Sequence, residues 1–324
     1  MTWLITGGAG YIGAHVVSQA ANSGLKTFVV DDLSTGISTR LKSEIELRKF
    51  SLQDTSSLQA LFQEHDFEGV VHIAAKKRVG ESVERPDYYW QENVVGYQNL
   101  LGVMAKHDVK NLVFSSSAAV YGEPNESSDS LISESTMCSP INPYGETKLE
   151  CERLSEAFSG ETGAKVISLR YFNVAGAGRP DLGDQYIFNL IPIVFDALDR
   201  GQQPQVFGND YETIDGTCVR DYVHVQDLAK AHMDAMEHVV TAQPFYLPIN
   251  IGTGYGASVA QVLAMISEVT GQKIDPIVAP RRQGDPASLV ADVSRAAEIL
   301  NWNSEQGLRE IVSSAWDAWQ LSHK

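Results

Sequence analysis

Cysteine is scarce in this chain of 324 residues, which contains only Cys138, Cys151 and Cys218. Their number is odd and their spacing is unlike that of a zinc site. A small secreted scaffold stabilised by disulfides is therefore not expected. We interpret the three thiols as incidental residues of a protein in a reducing compartment, which predicts a cytoplasmic location.

Long apolar stretches are also missing. The chain has no run of about 18 apolar residues, the minimum that a membrane-spanning helix needs. Residues 1–5 lead straight into a strand pattern, and no basic segment of the kind found in secretory signals precedes them. We therefore expect neither secretion nor a membrane partner.

Positive charge is in short supply as well. Lysine and arginine together number 25 against 41 aspartates and glutamates, a formal net charge of −16. Binding to a phosphate backbone requires a basic surface, so no nucleic-acid partner is expected. A small anionic ligand needs only a few local cations, for which Arg220, Arg281 and Arg282 are candidates. The eight histidines are not spaced as metal ligands, and no metal is predicted.

The first half of the chain alternates short apolar runs with helical patterns. This alternation predicts an α/β fold with a doubly wound parallel sheet of the Rossmann type. The predicted strands lack polar alternation, as expected when helices cover both faces of the sheet. The predicted strands are 2–6, 26–31, 45–50, 69–74, 111–116 and 165–171, and long helices are predicted around 88–107 and 143–159.

A glycine-rich turn joins the first predicted strand to a helix. Residues 7–13 read Gly-Gly-Ala-Gly-Tyr-Ile-Gly, and such glycines let backbone N–H groups approach a pyrophosphate at a helix N-terminus. Asp31 ends the second strand 18 residues after Gly13, close to the spacing of the residue that binds an adenosine ribose. Because no lysine or arginine follows within 32–36, the sequence predicts NAD rather than NADP.

A tyrosine and a lysine four residues apart are candidates for catalysis. Tyr144 and Lys148 share one helix face, and this helix follows the strand that ends at Ser115, Ser116 and Ser117. The spacing alone is not specific, but the position at the carboxyl edge of the sheet is where such folds bind ligands. A nearby ammonium and an oxidised nicotinamide lower the pKa of a phenol, which makes it a general base near neutral pH.

After about residue 173 the pattern becomes irregular, with helices predicted at 225–239, 258–270 and 304–321. We predict an NAD-binding domain over 1–173 and a smaller C-terminal α/β lobe over 174–324 that binds substrate. Segments around 220–251 are expected to return to the first domain.

The chain resembles the extended short-chain dehydrogenase/reductases, and within them the UDP-glucose 4-epimerases. The likeness runs nearly end to end, and its most specific stretch is Asp215-Gly216-Thr217 through Val225. Other matching segments are 6–13, 72–75, 79–83, 115–117, 170–173, 207–211, 279–282, Gly284-Asp285 and 300–302.

The resemblance implies epimerisation at C4 of a UDP-hexose through a transient 4-keto sugar, with bound NAD recycled. It makes Tyr144 the acid–base, Ser117 a hydrogen-bond donor to the same oxygen, and Lys148 the group that tunes Tyr144. It also implies a homodimer built on the two long helices.

The resemblance also implies two sets of binding residues. The NAD set is Gly7, Gly10, Tyr11, Ile12, Gly13, Asp31, Asp32, Leu33, Ser34, Thr35, Gly36, Ser51, Leu52, Ile73, Ala74, Ala75, Lys77, Asn93, Ser115, Tyr144, Lys148 and Tyr171. The UDP-sugar set is Lys77, Ser117, Tyr144, Phe172, Asn173, Asn189, Leu190, Val206, Phe207, Arg220, Tyr222, Arg282, Asp285 and Leu289.

Three positions bear on the details. Ser51 stands where relatives have an aspartate that contacts adenine, and Glu92 stands where they often carry an amide. Leu289 borders the C2 substituent of the sugar, and its bulk predicts that N-acetylated sugars are handled poorly.

Several alternatives stay open. Another UDP-sugar epimerase of the same family, acting on N-acetylhexosamines, pentoses or uronates, is the nearest, and a non-catalytic dinucleotide-sensing module is more distant. A 4,6-dehydratase is disfavoured because Ala118 and Ala119 stand where it needs acids.

Overall fold

In a computed structural model of the protein, residues 2–124, 131–282 and 285–323 are described. Gly284, part of one matching segment above, lies outside the described residues. The strands are β1 (Thr2–Thr6), β2 (Lys26–Asp31), β3 (Glu46–Lys49), β4 (Gly69–His72), β5 (Asn111–Ser115), β6 (Lys165–Tyr171), β7 (Asn173–Ala175), β8 (Gln205–Phe207), β9 (Val219–His224), β10 (Phe245–Ile251), β11 (Gly256–Ser258), β12 (Ile277–Ala279) and β13 (Ser288–Leu289).

Helices follow most strands of the first half. The α-helices are α1 (Tyr11–Asn22), α2 (Thr55–Glu64), α3 (Val79–Glu84), α4 (Pro86–Tyr89), α5 (Gly96–Lys106), α6 (Pro143–Thr162), α7 (Leu190–Asp199), α8 (Val225–Thr241), α9 (Val259–Thr270), α10 (Ser294–Leu300) and α11 (Leu308–Ser322). Short 3-10 turns cover Ser38–Arg40, Ala118–Val120 and Pro180–Leu182. Among the described helices, none is both long and apolar enough to cross a membrane.

Seven strands pair in parallel in the order β10-β6-β5-β4-β1-β2-β3. Successive side chains of a strand point to opposite faces, and in β1 both faces are buried. Leu4 belongs to an apolar cluster shared with α2, α5 and α6, while Trp3 and Ile5 belong to a second cluster shared with α1, α8 and α10. The predicted α/β fold with a doubly wound parallel sheet is therefore confirmed.

A second, smaller set of strands lies beyond β6. Here β9 pairs with β7, β11 and β13, and β8 pairs with β12. Helices α7, α9 and α11 close a third apolar cluster around Phe195 and Trp319. The strand β10 pairs with β6 of the large sheet, and α8 packs against α1. Residues from the later half of the chain therefore belong to the large sheet and to the helices that cover it. The division at residue 173 stays a prediction.

Two predicted helices differ in detail. The helix expected over 88–107 consists of α4, a π-helical turn at Trp90–Val95 and α5. The helix expected over 304–321 begins only at Leu308, because the N–H groups of Glu305 and Gln306 donate to the Asp227 carboxylate.

Candidate active site

A cavity of about 720 Å³ lies at the carboxyl ends of β1, β2, β4, β5 and β6. Its lining includes Gly7, Asp31, Ile73, Ser117 and Tyr171, which follow or end those strands. Residues beyond Phe172, from the second set of strands and helices, close its other side. Its volume lies in the upper part of the range of small-molecule sites.

The glycine turn is shaped by close contacts. Gly7 has φ +74°, and a Cβ at Gly13 would lie 2.1 Å from the Gly7 carbonyl oxygen. Helix α1 begins after Gly10, and no side chain caps its first turn. The first-turn N–H groups are therefore left for a ligand, as at pyrophosphate sites.

Asp31 is held at the end of β2 by two backbone N–H groups. Ala9 donates to its Oδ2 at 3.0 Å and Leu33 donates to its Oδ1 at 2.9 Å. Burial raises the pKa of Asp31, and the two N–H donors act in the opposite direction. A Cβ at Gly36 would come within 2.5 Å of this carboxylate. The turn and the carboxylate together fit the pyrophosphate and ribose of NAD.

Most residues of the predicted NAD set line this cavity. Leu33 and Ser115 do not: Leu33 forms a turn with φ +57°, and the Ser115 hydroxyl pairs with His232 Nε2 at 2.8 Å. The lining members are Gly7, Gly10, Tyr11, Ile12, Gly13, Asp31, Asp32, Ser34, Thr35, Gly36, Ser51, Leu52, Ile73, Ala74, Ala75, Lys77, Asn93, Tyr144, Lys148 and Tyr171.

The three predicted catalytic residues line the same cavity. Tyr144 and Lys148 lie one turn apart on α6, whose N-terminus is capped by Asn142 through a bond from the Gly145 N–H to Oδ1 at 2.9 Å. The Lys148 Nζ donates to the Ser115 carbonyl at 2.7 Å. Ser117 begins the turn at Ala118–Val120, and its hydroxyl accepts from the Ala119 N–H at 3.2 Å.

Burial dominates the electrostatics of this group. It raises the pKa of Tyr144 above the ordinary 10.0, and a hydrogen bond with Ser117 partly offsets the rise. Burial also lowers the pKa of Lys148 to about 8, against the attraction of Cys151 and Glu152. The predicted lowering of the Tyr144 pKa therefore stays a prediction for the protein with its ligands bound.

Two arginines from the second half of the chain also line the cavity. Arg220, on β9, donates to Asp285 Oδ1 at 2.8 Å and to the Pro286 carbonyl at 2.9 Å. The Arg282 guanidinium stacks 3.8 Å from the centre of the Phe207 ring. The remaining members of the UDP-sugar set that line the cavity are Lys77, Ser117, Tyr144, Phe172, Asn173, Asn189, Asp285 and Leu289.

Four residues of the UDP-sugar set lie outside the lining of this cavity. Leu190 and Tyr222 border a smaller cavity of about 50 Å³. Val206 is buried in the third apolar cluster, and Phe207 lies beneath Arg282.

Several lining residues were missed by sequence reasoning. Tyr186 donates to the Thr35 carbonyl at 2.8 Å, and Phe188 stacks 4.3 Å from the Arg78 guanidinium, so this segment spans the two sides of the cavity. Lys76 lies near Asp32 and Glu92. None of these residues belongs to a recognisable motif. The only sequence signal is the run of basic residues at 76–78, which could have indicated Lys76 and Arg78. Within the described ranges, no group of three histidine, cysteine or acidic side chains could hold a metal ion.

Comparison with known proteins agrees with this geometry. The profile of the NAD dependent epimerase/dehydratase family matches residues 3–252. A UDP-glucose 4-epimerase of Halalkalibacterium halodurans is 42% identical, with 100% of this chain and 96% of the relative covered. A UDP-glucose 4-epimerase of Corynebacterium glutamicum is also 42% identical, over 98% of this chain and 95% of the relative.

Solved structures give the same result. UDP-glucose 4-epimerase from Brucella ovis in complex with NAD has a TM-score of 0.92 and 38% identity, with 97% of each chain covered. The enzyme from Bifidobacterium longum in complex with NAD+ and UDP has a TM-score of 0.91 and 35% identity, covering 100% and 99% of the chains. The protein belongs to the NAD-dependent epimerase/dehydratase family, and its resemblance to the UDP-glucose 4-epimerases is confirmed.

Proposed function

We propose that the protein interconverts UDP-glucose and UDP-galactose by NAD-dependent epimerisation at C4. The observation that carries this proposal is one cavity that joins a dinucleotide-type glycine turn, the Tyr144–Ser117 pair, and the arginines Arg220 and Arg282. The relatives named UDP-glucose 4-epimerase support the same activity.

Tyr144 is the proposed acid–base. It takes the proton of the sugar's 4-hydroxyl and later returns it to the 4-keto oxygen, while Ser117 donates a hydrogen bond to that oxygen. Bound NAD would supply a reversible acceptor for the C4 hydride, so the reaction would involve no net oxidation. Because burial disfavours the Tyr144 phenolate, the Lys148 ammonium is needed to stabilise it.

Arg220 and Arg282 are the proposed holders of the diphosphate. A guanidinium can bind two phosphate oxygens at once, and both side chains line the cavity. Asn173 and Asn189 line the same cavity and supply amide groups. Firm anchoring of the diphosphate leaves the sugar ring free to turn, which allows hydride return to the opposite face.

We also propose a cytoplasmic homodimer that binds neither nucleic acid nor membranes. The acidic net charge of −16 supports the absence of a nucleic-acid partner. The helices α5 and α6 are the proposed dimer surface. Residues 1–173 are proposed to bind NAD, and 174–324 to bind the UDP-sugar.

The test is conversion of UDP-galactose to UDP-glucose without added NAD. Tyr144→Phe should lower kcat by roughly 100-fold or more, because it removes the only hydroxyl of the proposed acid–base, while UDP affinity should change little. Tyr255→Phe is the matched control, since Tyr255 is 83% exposed. Near-normal turnover in Tyr144→Phe would remove this residue from the mechanism, and no product with the native protein would refute the activity.

A further inference from the structure

Lys76 reaches the end of the cavity where Asp31 lies. Its Nζ is 2.6 Å from the Ser34 hydroxyl, 3.2 Å from Asp32 Oδ2 and 3.7 Å from Glu92 Oε2. The Lys76 side chain is only 14% exposed. A positive charge therefore lies against the segment that follows β2, although the sequence places no cation within residues 32–36.

Three separate segments meet at this lysine. Asp32 and Ser34 follow β2, Lys76 follows β4, and Glu92 belongs to the π-helical turn at Trp90–Val95. All four residues line the same cavity as Asp31. The group thus borders the end of the cavity assigned to the adenosine ribose.

The backbone of Lys76 is fixed by Asn93, the neighbour of Glu92. Asn93 Oδ1 accepts from the Lys76 N–H at 2.8 Å, and Asn93 Nδ2 donates to the Lys76 carbonyl at 3.0 Å. The same amide donates to the Thr147 hydroxyl at 3.1 Å on α6. A buried residue therefore holds the backbone of Lys76, while its Nζ is held by the Ser34 hydroxyl and the two carboxylates.

Asp32 and Glu92 both attract the Lys76 ammonium. Each carboxylate lies within ion-pair distance of the ammonium, so the pair outnumbers it. Asp31 adds a third carboxylate beside them. Within this cluster three carboxylates surround one ammonium, and their negative charge repels a doubly charged phosphate.

We propose that Lys76, Asp32 and Glu92 together determine which dinucleotide the protein selects. Lys76 and the Ser34 hydroxyl could bind an adenosine 2′-phosphate, but the ammonium is already paired with the two carboxylates. Their combined negative charge exceeds its single positive charge. Cations that follow the second strand are what 2′-phosphate sites use. The choice of NAD over NADP therefore depends on this cluster as well as on Asp31. The proposal rests on the proposed function, since it requires the cavity to bind a dinucleotide.

Glu92→Gln and Asp32→Asn remove the two charges with little change of shape. An asparagine at 32 can still accept the Ser34 N–H bond now made to Asp32 Oδ1 at 2.8 Å. The full-length double variant is dialysed against an excess of equimolar NAD and NADP until its bound dinucleotide has exchanged, then desalted and denatured, and the released nucleotides are measured by mass spectrometry. The NADP to NAD ratio should rise about tenfold or more over the native protein.

The gain should depend on Lys76. Adding Lys76→Met to the double variant should return the ratio to the native value or below it. The matched control is Asp234→Asn/Glu237→Gln on α8, which changes the total charge equally at positions that do not line the cavity. Its ratio should stay at the native value.

The outcomes distinguish a failure of the cofactor-selection proposal from a failure of the proposed function. If NAD is released from all variants but the ratio is unchanged in the double variant, or stays high after Lys76→Met, the cluster does not select the cofactor. A matching rise in the α8 control would mean that total charge alone acts, which also overturns the proposal. If the native protein releases neither dinucleotide, the proposed function fails as well.

Discussion

Lys148 is a buried ammonium, and its burial has a cost in the free energy of unfolding. Its pKa is lowered from 10.5 to about 8, which corresponds to about 3 kcal/mol against the charged form. Below pH 8 the lysine is charged in both the folded and unfolded states, so the full cost applies. As the pH rises from 8 to 10.5, the folded state loses its proton first and the cost disappears.

Lys148→Met should therefore be inactive yet gain stability relative to the native protein at pH 7. The gain should shrink by about 3 kcal/mol between pH 7 and pH 11, as measured by urea unfolding at each pH. Lys230→Met removes an ammonium that is 42% exposed and serves as the control. A pH-independent difference between Lys148→Met and the native protein would contradict the prediction.

Leu289 is the residue that we expect to limit the sugar. It lines the cavity and lies beside Arg220 in the pairing of β13 with β9. Its apolar side chain would crowd an acetamido group and leave the carbonyl of that group unpaired, which costs about 1–3 kcal/mol.

The test compares kcat/KM for UDP-galactose and UDP-N-acetylgalactosamine. The native protein should prefer the plain hexose by roughly 5- to 150-fold, and Leu289→Ser should reduce this preference. Equal use of both sugars by the native protein, or an unchanged ratio in the variant, would show that Leu289 does not limit the sugar.

At the scale of single residues, sequence motifs predicted which residues near the ends of the large-sheet strands belong to the site. Gly7, Asp31, Ser117 and Tyr144 line one cavity because parallel strands bring their carboxyl ends to one edge. Lys76 could not be placed in the same way, since its contact with Ser34 depends on the relative height of two loops. Val206, expected in the site from the family resemblance, is buried in the third apolar cluster, and its contact with the UDP-sugar stays a prediction.

Helix α6 is fixed to the sheet by a buried carboxylate two turns beyond Tyr144. Glu152 accepts from Arg170 on β6 at 2.5 Å, from the Ser116 hydroxyl at 2.5 Å and from the Tyr246 hydroxyl on β10 at 3.2 Å. Ser116 is the sequence neighbour of Ser117, whereas Tyr246 lies on strand β10. The two bonds are therefore matched in chemistry and differ in distance along the chain from the proposed catalytic residues.

Ser116→Ala and Tyr246→Phe each remove one hydrogen bond to Glu152. Both should lower the free energy of unfolding by about 1–3 kcal/mol. Only Ser116→Ala should also lower kcat, by about tenfold, with KM nearly unchanged. Equal kcat values in the two variants would mean that this carboxylate stabilises the fold without positioning Ser117.

Strands β1, β2, β4, β5 and β6 were predictable because they are buried on both faces and therefore read as continuous apolar runs. Strand β6 was predicted with its observed bounds, and β10 was not predicted. Strands β7, β8, β11, β12 and β13 have only two or three residues, too few to show a period. The π-helical turn at Trp90–Val95 was read as ordinary helix, since its side-chain pattern continues that of α5.

At the scale of the whole molecule, four histidines of the described residues are buried without charge. Burial lowers the pKa of His72 to about 3 and those of His15, His224 and His232 to about 4. Their unfolded pKa is about 6.5, so they favour the folded state fully above pH 6.5 and lose this effect as the pH falls towards 4. At pH 5 the loss is about 2 kcal/mol for each histidine.

The protein should therefore lose stability as the pH falls from 7.5 to 5, because the unfolded state takes up protons that the buried histidines exclude. Thermal unfolding measured between pH 7.5 and pH 5, at constant ligand, should show an uptake of several protons. Asp31 and Asp221, whose pKa values are raised by burial, act in the opposite sense and reduce the pH dependence of stability. A melting temperature that stays constant over this range would contradict the prediction.

The position of β10 in the sheet has a consequence for how the protein is made. Six parallel strands are complete once Tyr171 has been synthesised, but the outer edge of β6 is covered only by β10, which begins at Phe245. Until then a nascent chain on the ribosome carries an uncovered strand edge, the kind of surface on which chains aggregate. Chains that terminate between these two strands should therefore depend on chaperones and be degraded quickly. Chains that extend past Ile251 should no longer need chaperones and should escape rapid degradation.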